Sequence, residues 1–473
     1  MSKTAKIIFI SLIGAICLAP FICMLFVKND VNSEKRTLAP VPKLVSEEGL
    51  NVNYLPELGA YFEDHYAFRS QLVAANSKLQ ADVFGTSPVD TIVKGTDGWL
   101  YYTDSLADYQ QTDVMSDREA FALAYNMKLV QESLAERGIE FLYTVAPNKN
   151  SLYAENMPYY YKPVTGNGKN IDAVKTNLVE LGVNYADLFE AFKEDGRILY
   201  RLQDSHWNGE GAVLAYNVIL DRLGKTHDAH ENAVRKNVKT ATGDLATSLY
   251  GVWAENEWDT VVDVARNYIN TNQAESWEAN TVLTEALGAD GSLLMFRDSF
   301  GNTLSPLLAD VFGKGAFSKA SIYQLDSYVE MYKPDTVIFE IVERNMANAS
   351  RFSPQNEGIS GPPIMAAPKL LREEEKVLED PAKVNRVEMT ASVSKSQLAP
   401  AYGTISGDLA QVADEGDLSP KTEVVICVDG VYYKTYMVRL PDEKSDYGFL
   451  AYFPWDILEK EPDIKVYILK GTE

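Results

Sequence analysis

Two short stretches carry the residues that could do chemistry. In DSHWNGEGA, Asp204 to Ala212, a carboxylate stands two residues before a histidine, just ahead of a helix. Residues two apart on an extended segment point to the same side. A histidine that takes a proton from a hydroxyl needs its other ring nitrogen held, and a carboxylate holds it while stabilising the imidazolium. Asp204 and His206 are therefore read as orienter and base. The nucleophile candidate, Ser299, is in FRDSFGN, just past the apolar run SLLMF, where a helix begins. A helix N-terminus supplies free N–H groups and positive potential. The Ser299 and Phe300 amides are thus candidates for facing a developing oxyanion. Gly301 would let a substrate approach closely, and Asn302 offers a side-chain donor. A plainer reading stands beside this one, because Asp204 and Ser299 are both residue types that cap helices.

Further candidates follow from position. Arg344, just past TVIFEIV, falls at the same sheet edge as Ser299 and could grip an acidic group through its planar fork; a salt bridge with Glu343 or another acid is the alternative. Lys149 and Tyr153 follow another strand end and could line the groove. Trp207 would wall the site or pack beneath the histidine. The run MPYYYKP, Met157 to Pro163, offers rings for stacking on a ligand or for loop packing. His227 and His230, in HDAH, have helix-face spacing for a metal, but no second pair of ligands accompanies them, and they read as a solvated surface. His65, in EDHYAFR, reads as a structural hydrogen-bonder. No metal and no cofactor are expected.

These residues need elements to hold them. The 473-residue chain is too long for one ordinary domain, and its 46% apolar content is enough for a sizeable core. A net charge of −23 argues against a nucleic-acid partner or an anionic membrane surface. After Lys3 and Lys6 comes an uncharged run, Ile7 to Val27. As a helix it is about 31 Å long, close to a bilayer core. The flanking lysines place the N-terminus in the cytoplasm and the rest outside. An uncleaved anchor is preferred to a signal peptide, since no A-x-A site follows. The only cysteines are Cys17, Cys23 and Cys427, so the exported part has no internal disulfide.

Ser116 and Glu119 form a capping box. Leu123, Met127, Val130 and Leu134 share one face of the helix it opens, which Gly138 stops. Ile139–Ala146, Ser292–Phe296 and Thr336–Val342 read as buried strands, and 171–181 and 209–223 as helices. This alternation predicts an α/β fold with a largely parallel sheet flanked by helices. Beyond 383 the text turns all-β. Val424, Ile426 and Val428 share a strand face before an Asp429-Gly430 hairpin turn. The expected organisation is an anchor at 1–28, a stalk at 29–50, a catalytic domain at 51–357, a linker at 358–384 and a small β-sandwich at 385–473.

DSHWN followed about ninety residues later by RDSF resembles the SGNH-hydrolase-like O-acetyltransferases of the alginate acetylation system and their Gram-positive relatives, the DHHW proteins. EKRTLAPVPKL, FEDHYAFR, VKGTDGWLYY, VAPNKNSLY and FEIVERN agree in order, over about residues 35–350. The resemblance implies an SGNH-like fold and the same Asp204, His206 and Ser299 triad, with the acid and base preceding the serine. It implies acetyl transfer through a serine ester to a polysaccharide hydroxyl outside the cell, with a membrane-bound O-acyltransferase as donor. Arg297 departs from the glycine usual before the Asp-Ser pair. An acetyl esterase uses the same first step. An inactive glycan-binding or scaffold domain is the reading from another class.

Overall fold

The computed structural model describes residues 2–469 except 25, 28–37, 47–48, 164–168, 320–323, 353–360, 380–383, 388, 412–417 and 441–444. Most of the expected stalk's first half, and the expected boundary at 357–358, lie outside the described residues.

Local signals set the main elements. The Ser116 side chain accepts from the Glu119 N–H while Glu119 reaches back to the Ser116 amide. This caps the helix Asp117–Ala135, and Gly138 ends the segment at φ +73°. The four residues expected on its inner face are all buried. Strands follow at β1 (Glu140–Ala146), β2 (Tyr185–Ala186), β3 (Val234–Thr242), β4 (Asn256–Asp263), β5 (Tyr268–Asn270), β6 (Thr281–Ala286), β7 (Ser292–Phe296), β8 (Lys314–Ser318) and β9 (Thr336–Val342).

Seven of these form one sheet in the order β2-β1-β9-β7-β8-β6-β5. The first five strands of that order are mutually parallel; β6 and β5 add antiparallel edge pairings. The parallel strands are apolar on both faces because helices cover both. Leu294, Phe296, Val337 and Phe339 face the helices 117–135 and 170–180, whereas Leu293, Met295 and Ile338 face the helices 209–222 and 301–308. The fold is therefore α/β, with a largely parallel sheet flanked by helices, as the alternation of elements predicts. The strands β3 and β4 pair only with each other, as a ribbon whose far end carries the helix Asp244–Tyr250.

Residues 384–469 build two four-stranded antiparallel sheets that face each other across a separate core. Val424, Ile426 and Val428 point into that core, and Asp429 and Gly430 take positive φ at the hairpin. This β-sandwich is packed onto the α/β part. Met437, Val438 and Leu450 join the same apolar cluster as the helix 117–135. Asn126, fully buried, donates to the carbonyls of Ala349 and Met437 at 2.9 and 2.8 Å and accepts from the Met437 N–H at 2.9 Å. The connecting segment is no solvated tether: Ile364 and Met365 are buried against the first core.

The helix Lys3–Cys23 is long and apolar enough to cross a bilayer, with mean hydropathy 2.3 and none of its residues buried. Asn126→Ala leaves three buried backbone groups without partners. The change should destabilise the protein by about 3 kcal/mol or more, at roughly 1–3 kcal/mol for each orphaned group. Denaturant unfolding monitored by tryptophan fluorescence checks this, and a loss under about 0.5 kcal/mol would show that the bridge is dispensable.

Candidate active site

The loop 201–206 is bent back on itself. The Arg201 N–H donates to the His206 carbonyl, and Tyr200 and Trp207 bridge at its base. Asp204 sits in the bend, 5% exposed. Its Oδ1 accepts from the His206 backbone N–H at 3.0 Å and lies 2.7 Å from His206 Nδ1. Its Oδ2 accepts from Arg201 at 2.7 Å and from the Asp244 N–H at 3.1 Å. Ser299, just past β7 and before the helix Gly301–Leu308, places its Oγ 2.7 Å from His206 Nε2. The spacing of DSH accounts for one contact in this row. The other depends on the fold, which brings residues ninety-three apart to one sheet edge.

The electrostatics are asymmetric. Burial works to raise Asp204, but the hydrogen bond and charge of His206, with Arg201, outweigh it and hold the carboxylate well below its usual range. Burial likewise works to lower His206, but Asp204, aided by Asp244 and Asp298, leaves the imidazole raised above 6.5. An ionised Asp204 fixes the proton on Nδ1, so Nε2 accepts from the Ser299 hydroxyl. A positioned imidazole of this kind can take that proton as the hydroxyl attacks a carbonyl.

Several expected contacts resolve differently. The Phe300 N–H is not free for an oxyanion, since it donates to Asp298 Oδ1 at 2.8 Å. Among the described residues the Ser299 N–H makes no hydrogen bond, which leaves it as the open amide of that pair. The Asn302 side chain is also engaged, accepting from Arg297 at 2.6 Å and donating to Glu278. Gly301 does not serve close substrate approach: a Cβ there would lie 2.3 Å from Arg297 Cδ and 2.9 Å from its Cβ. Arg297, 4% exposed, fills that space and donates to the Asp298 and Trp277 carbonyls. The arginine that replaces the usual glycine is thus a brace under the serine turn.

Lys149 and Tyr153 do not line a groove. The Lys149 ammonium is buried and donates to the carbonyls of Leu100, Leu202 and Asp204 at 2.6–2.9 Å. Burial pushes its pKa down to about 7, against the pull of Glu257, Asp204 and Asp244. The Tyr153 hydroxyl accepts from the Leu199 N–H and donates to the Arg197 carbonyl. Both residues hold the loops around Asp204. Trp207 is buried, its indole N–H on Thr303 and its ring 5.0 Å from Phe300, which itself lies 4.9 Å from the His206 ring. It packs beneath the histidine.

Arg344 stays at the site. Its guanidinium lies over the rings of Phe300 and Tyr102, at 5.9 and 5.3 Å. Among the described residues it forms no ion pair, and Glu343 is buried, accepting from the Asn148 N–H at 2.7 Å. Burial and the nearby Asp108 push Glu343 up to about 8. Tyr159 and Tyr160 are exposed, with rings 5.4 Å apart.

The remaining histidines lie elsewhere. His65 donates to the Tyr61 carbonyl, as expected of a structural residue. His227 and His230 are not on a helix: both rings pack 5.3 Å from Tyr216, with side chains 8% and 13% exposed, at the wall of an open polar cavity. Ligand atoms of Asp204, His206 and Asp244 lie within 4.8 Å of one another, a spacing that could hold an ion. The carboxylate oxygens there are already spent on His206, Arg201, Ser205 and backbone amides.

Three supports were not read from the sequence. Arg201 stands three residues before Asp204 and could have been suspected from that spacing. Asp298, beside the serine, binds the Phe300 and Val342 amides and so ties the turn to β9. Asp244 carries no local signal. It reaches Ser205 from the tip of the ribbon.

Residues 92–289 match the family described as the SGNH hydrolase-like domain of the acetyltransferase AlgX. The match includes Asp204, His206 and Asp244 and ends before Ser299. It agrees with the resemblance carried by the motifs: residues 92–289 are similar to an SGNH hydrolase-like acetyltransferase domain. No curated protein matches the chain. Among solved structures it is similar to PatB1 of Bacillus cereus, at 17% identity and a TM-score of 0.43, over 54% of this chain and 96% of that one. A DHHW family protein of Eubacterium siraeum gives 16% and 0.41, over 54% and 91%. AlgX of Pseudomonas aeruginosa gives 13% and 0.36, over 85% and 95%.

Because the His206 pKa is raised, its ion pair with Asp204 stabilises the fold fully below pH 6.5 and is lost as pH rises through the folded value. Neutral, proton-accepting imidazole accordingly dominates only above that value. Asp204→Asn removes the main upward influence while burial remains, so the His206 midpoint should move down. Imidazole NMR titration of the two proteins checks this, and an unmoved midpoint would show that Asp204 does not govern the ring.

Proposed function

We propose that the protein is an O-acetyltransferase that moves an acetyl group through an ester on Ser299 to a hydroxyl of an extracellular or cell-wall polysaccharide. The observation that carries the reading is the unbroken row from Asp204 through His206 to Ser299, with 2.7 Å at each step. Ser299 Oγ attacks the acetyl carbonyl as its proton passes to His206 Nε2. The tetrahedral adduct collapses, the donor's leaving group takes that proton, and the acetyl ester remains on Ser299. A sugar hydroxyl then gives its proton to His206 and attacks the ester, and Ser299 regains a proton as the acetylated sugar departs. The Ser299 N–H faces the oxyanion in both steps. Arg344 offers its fork to an acidic group on the acceptor.

The chain is read as a bacterial cell-envelope protein, anchored by its first 28 residues with the bulk outside. The acetyl donor in this reading is a membrane-bound O-acyltransferase; the apolar helix 3–23 supports the anchor. The division into stalk 29–50, catalytic domain 51–357, linker 358–384 and β-sandwich 385–473 is part of the same proposal.

The detergent-solubilised chain should release chromophore from a chromogenic acetyl ester. Ser299→Ala should lower that turnover by about 10³-fold or more, on the order seen when such nucleophiles are removed. Equal turnover by both proteins rejects Ser299 as nucleophile. Adding saccharide acceptors and finding acetylated sugar by mass spectrometry separates transfer from hydrolysis; acetate alone assigns an esterase, and no turnover by either protein points to a binding or scaffold role.

A further inference from the structure

The segment between the apolar N-terminal helix and the sheet contains two helices, Tyr54–His65 and Arg69–Leu79, the second running on through 80–84. One face of the second is small and buried. Ala74, Ser77 and Ala81 turn inward, and Ala81 packs with Leu245, Ala246 and Leu249 of the helix Asp244–Tyr250. On the opposite face Leu72, Leu79 and Val83 recur at the spacing of one helical stripe, and Phe68 stands at the N-cap just before it. In chain order from Phe68 they are 43%, 48%, 54% and 65% exposed. A soluble surface helix would carry polar residues there.

The page also shows what lies beside this stripe. The turn joining the two helices touches the outer end of the helix 3–23. The Ala67 N–H donates to the Pro20 carbonyl at 3.2 Å, and the Phe21 ring lies 6.2 Å from Phe62 and 6.3 Å from Tyr66. Pro20 and Phe21 are near the last turn of a helix of bilayer length. If that helix spans, residues 62–68 sit at the level where acyl chains meet headgroups.

We propose that Phe68 and the stripe Leu72, Leu79 and Val83 lie in the outer-leaflet interface of a lipid bilayer and form a foot for the domain. The inference rests on the anchor reading above and deepens it. A helix laid flat with its apolar face in the headgroup boundary is stabilised in proportion to the apolar area it buries. The foot has a direct link to the site. Its inner face packs on the helix 244–250, whose first residue, Asp244, hydrogen-bonds Ser205 and the Asp204 carboxylate beside His206. The bilayer surface, the foot, that helix and the His206 loop thus form one packed series, which holds the reactive serine at a set height above the membrane that supplies its acetyl donor.

The test uses the full chain in vesicles of phosphatidylcholine containing nitroxide-labelled lipid. Single cysteines carrying a fluorophore are placed by Leu72→Cys, Leu79→Cys and Val83→Cys in a background with Cys17, Cys23 and Cys427 replaced. A protein retaining only Cys17 reports the anchor, and Val393→Cys, exposed on the distant sandwich, reports the aqueous level. The foot positions should lose about half their fluorescence or more to lipid nitroxide, as residues buried in the interface do, while position 393 is unchanged. Quenching at Cys17 without quenching at 72, 79 and 83 overturns the foot and leaves the anchor intact, including the case in which another protein covers the stripe. No quenching at Cys17 overturns the anchor, and the foot with it.

Discussion

The site depends on keeping one carboxylate ionised where water is scarce. Asp204 is nearly buried, and an uncompensated charge there would cost several kcal/mol. The chain meets that cost with donors from four places: the adjacent His206, Arg201 at the start of the loop, Asp244 on the ribbon, and the Lys149 ammonium on the carbonyl of the same residue. These donors come from the loop itself, from the ribbon and from the segment after β1, so parts of the chain far apart in sequence meet around one residue. The geometry of His206 follows from that assembly, since an ionised Asp204 dictates which ring nitrogen holds the proton and leaves the other toward Ser299.

The serine turn obeys the same logic with different atoms. Asp298 binds two backbone amides, one in the turn and one on the neighbouring strand, while Arg297 crosses beneath Gly301 and ties Asn302 and Trp277 to the turn. Glu340, buried and pushed well above its ordinary value by burial and by the charge of Asp298, adds an acceptor for the Asp298 N–H. The turn is braced by side chains that the chemistry never touches. The residues free to meet a substrate are correspondingly few: the Ser299 hydroxyl and N–H, and the Arg344 fork over its two rings.

The ribbon and the β-sandwich illustrate two ways of extending a sheet domain. The ribbon pairs only with itself and reaches the site through polar contacts at its tip. The sandwich has its own core yet shares apolar residues with the helix 117–135 and pins Met437 through Asn126. Composition alone suggested a tether between the two parts, because Gly, Pro and Ala dominate 358–367. Among the described residues of that stretch, the large apolar Ile364 and Met365 are the ones that dock.

What was legible in the sequence is what short-range physics controls. Ser116 and Glu119 cap a helix because they are three residues apart; Asp429-Gly430 turns a hairpin because both tolerate positive φ; Asp204 meets His206 because they are two residues apart, although in a bend and not on an extended segment. Apolar strands announced a sheet covered on both sides, and Ser299 was recognisable from its place after one of them. The tertiary structure alone decided what each polar group spends its hydrogen bonds on. Asn302, Phe300, Lys149 and Gly301 all looked available as a list of residue types, yet Phe300 and Gly301 are taken by Asp298 and Arg297 within the turn, and Asn302 and Lys149 by Glu278 and the carbonyls of 100, 202 and 204, which only packing brings near. A donor can serve a substrate only if the fold has left it unspent, and that accounting is written in three dimensions.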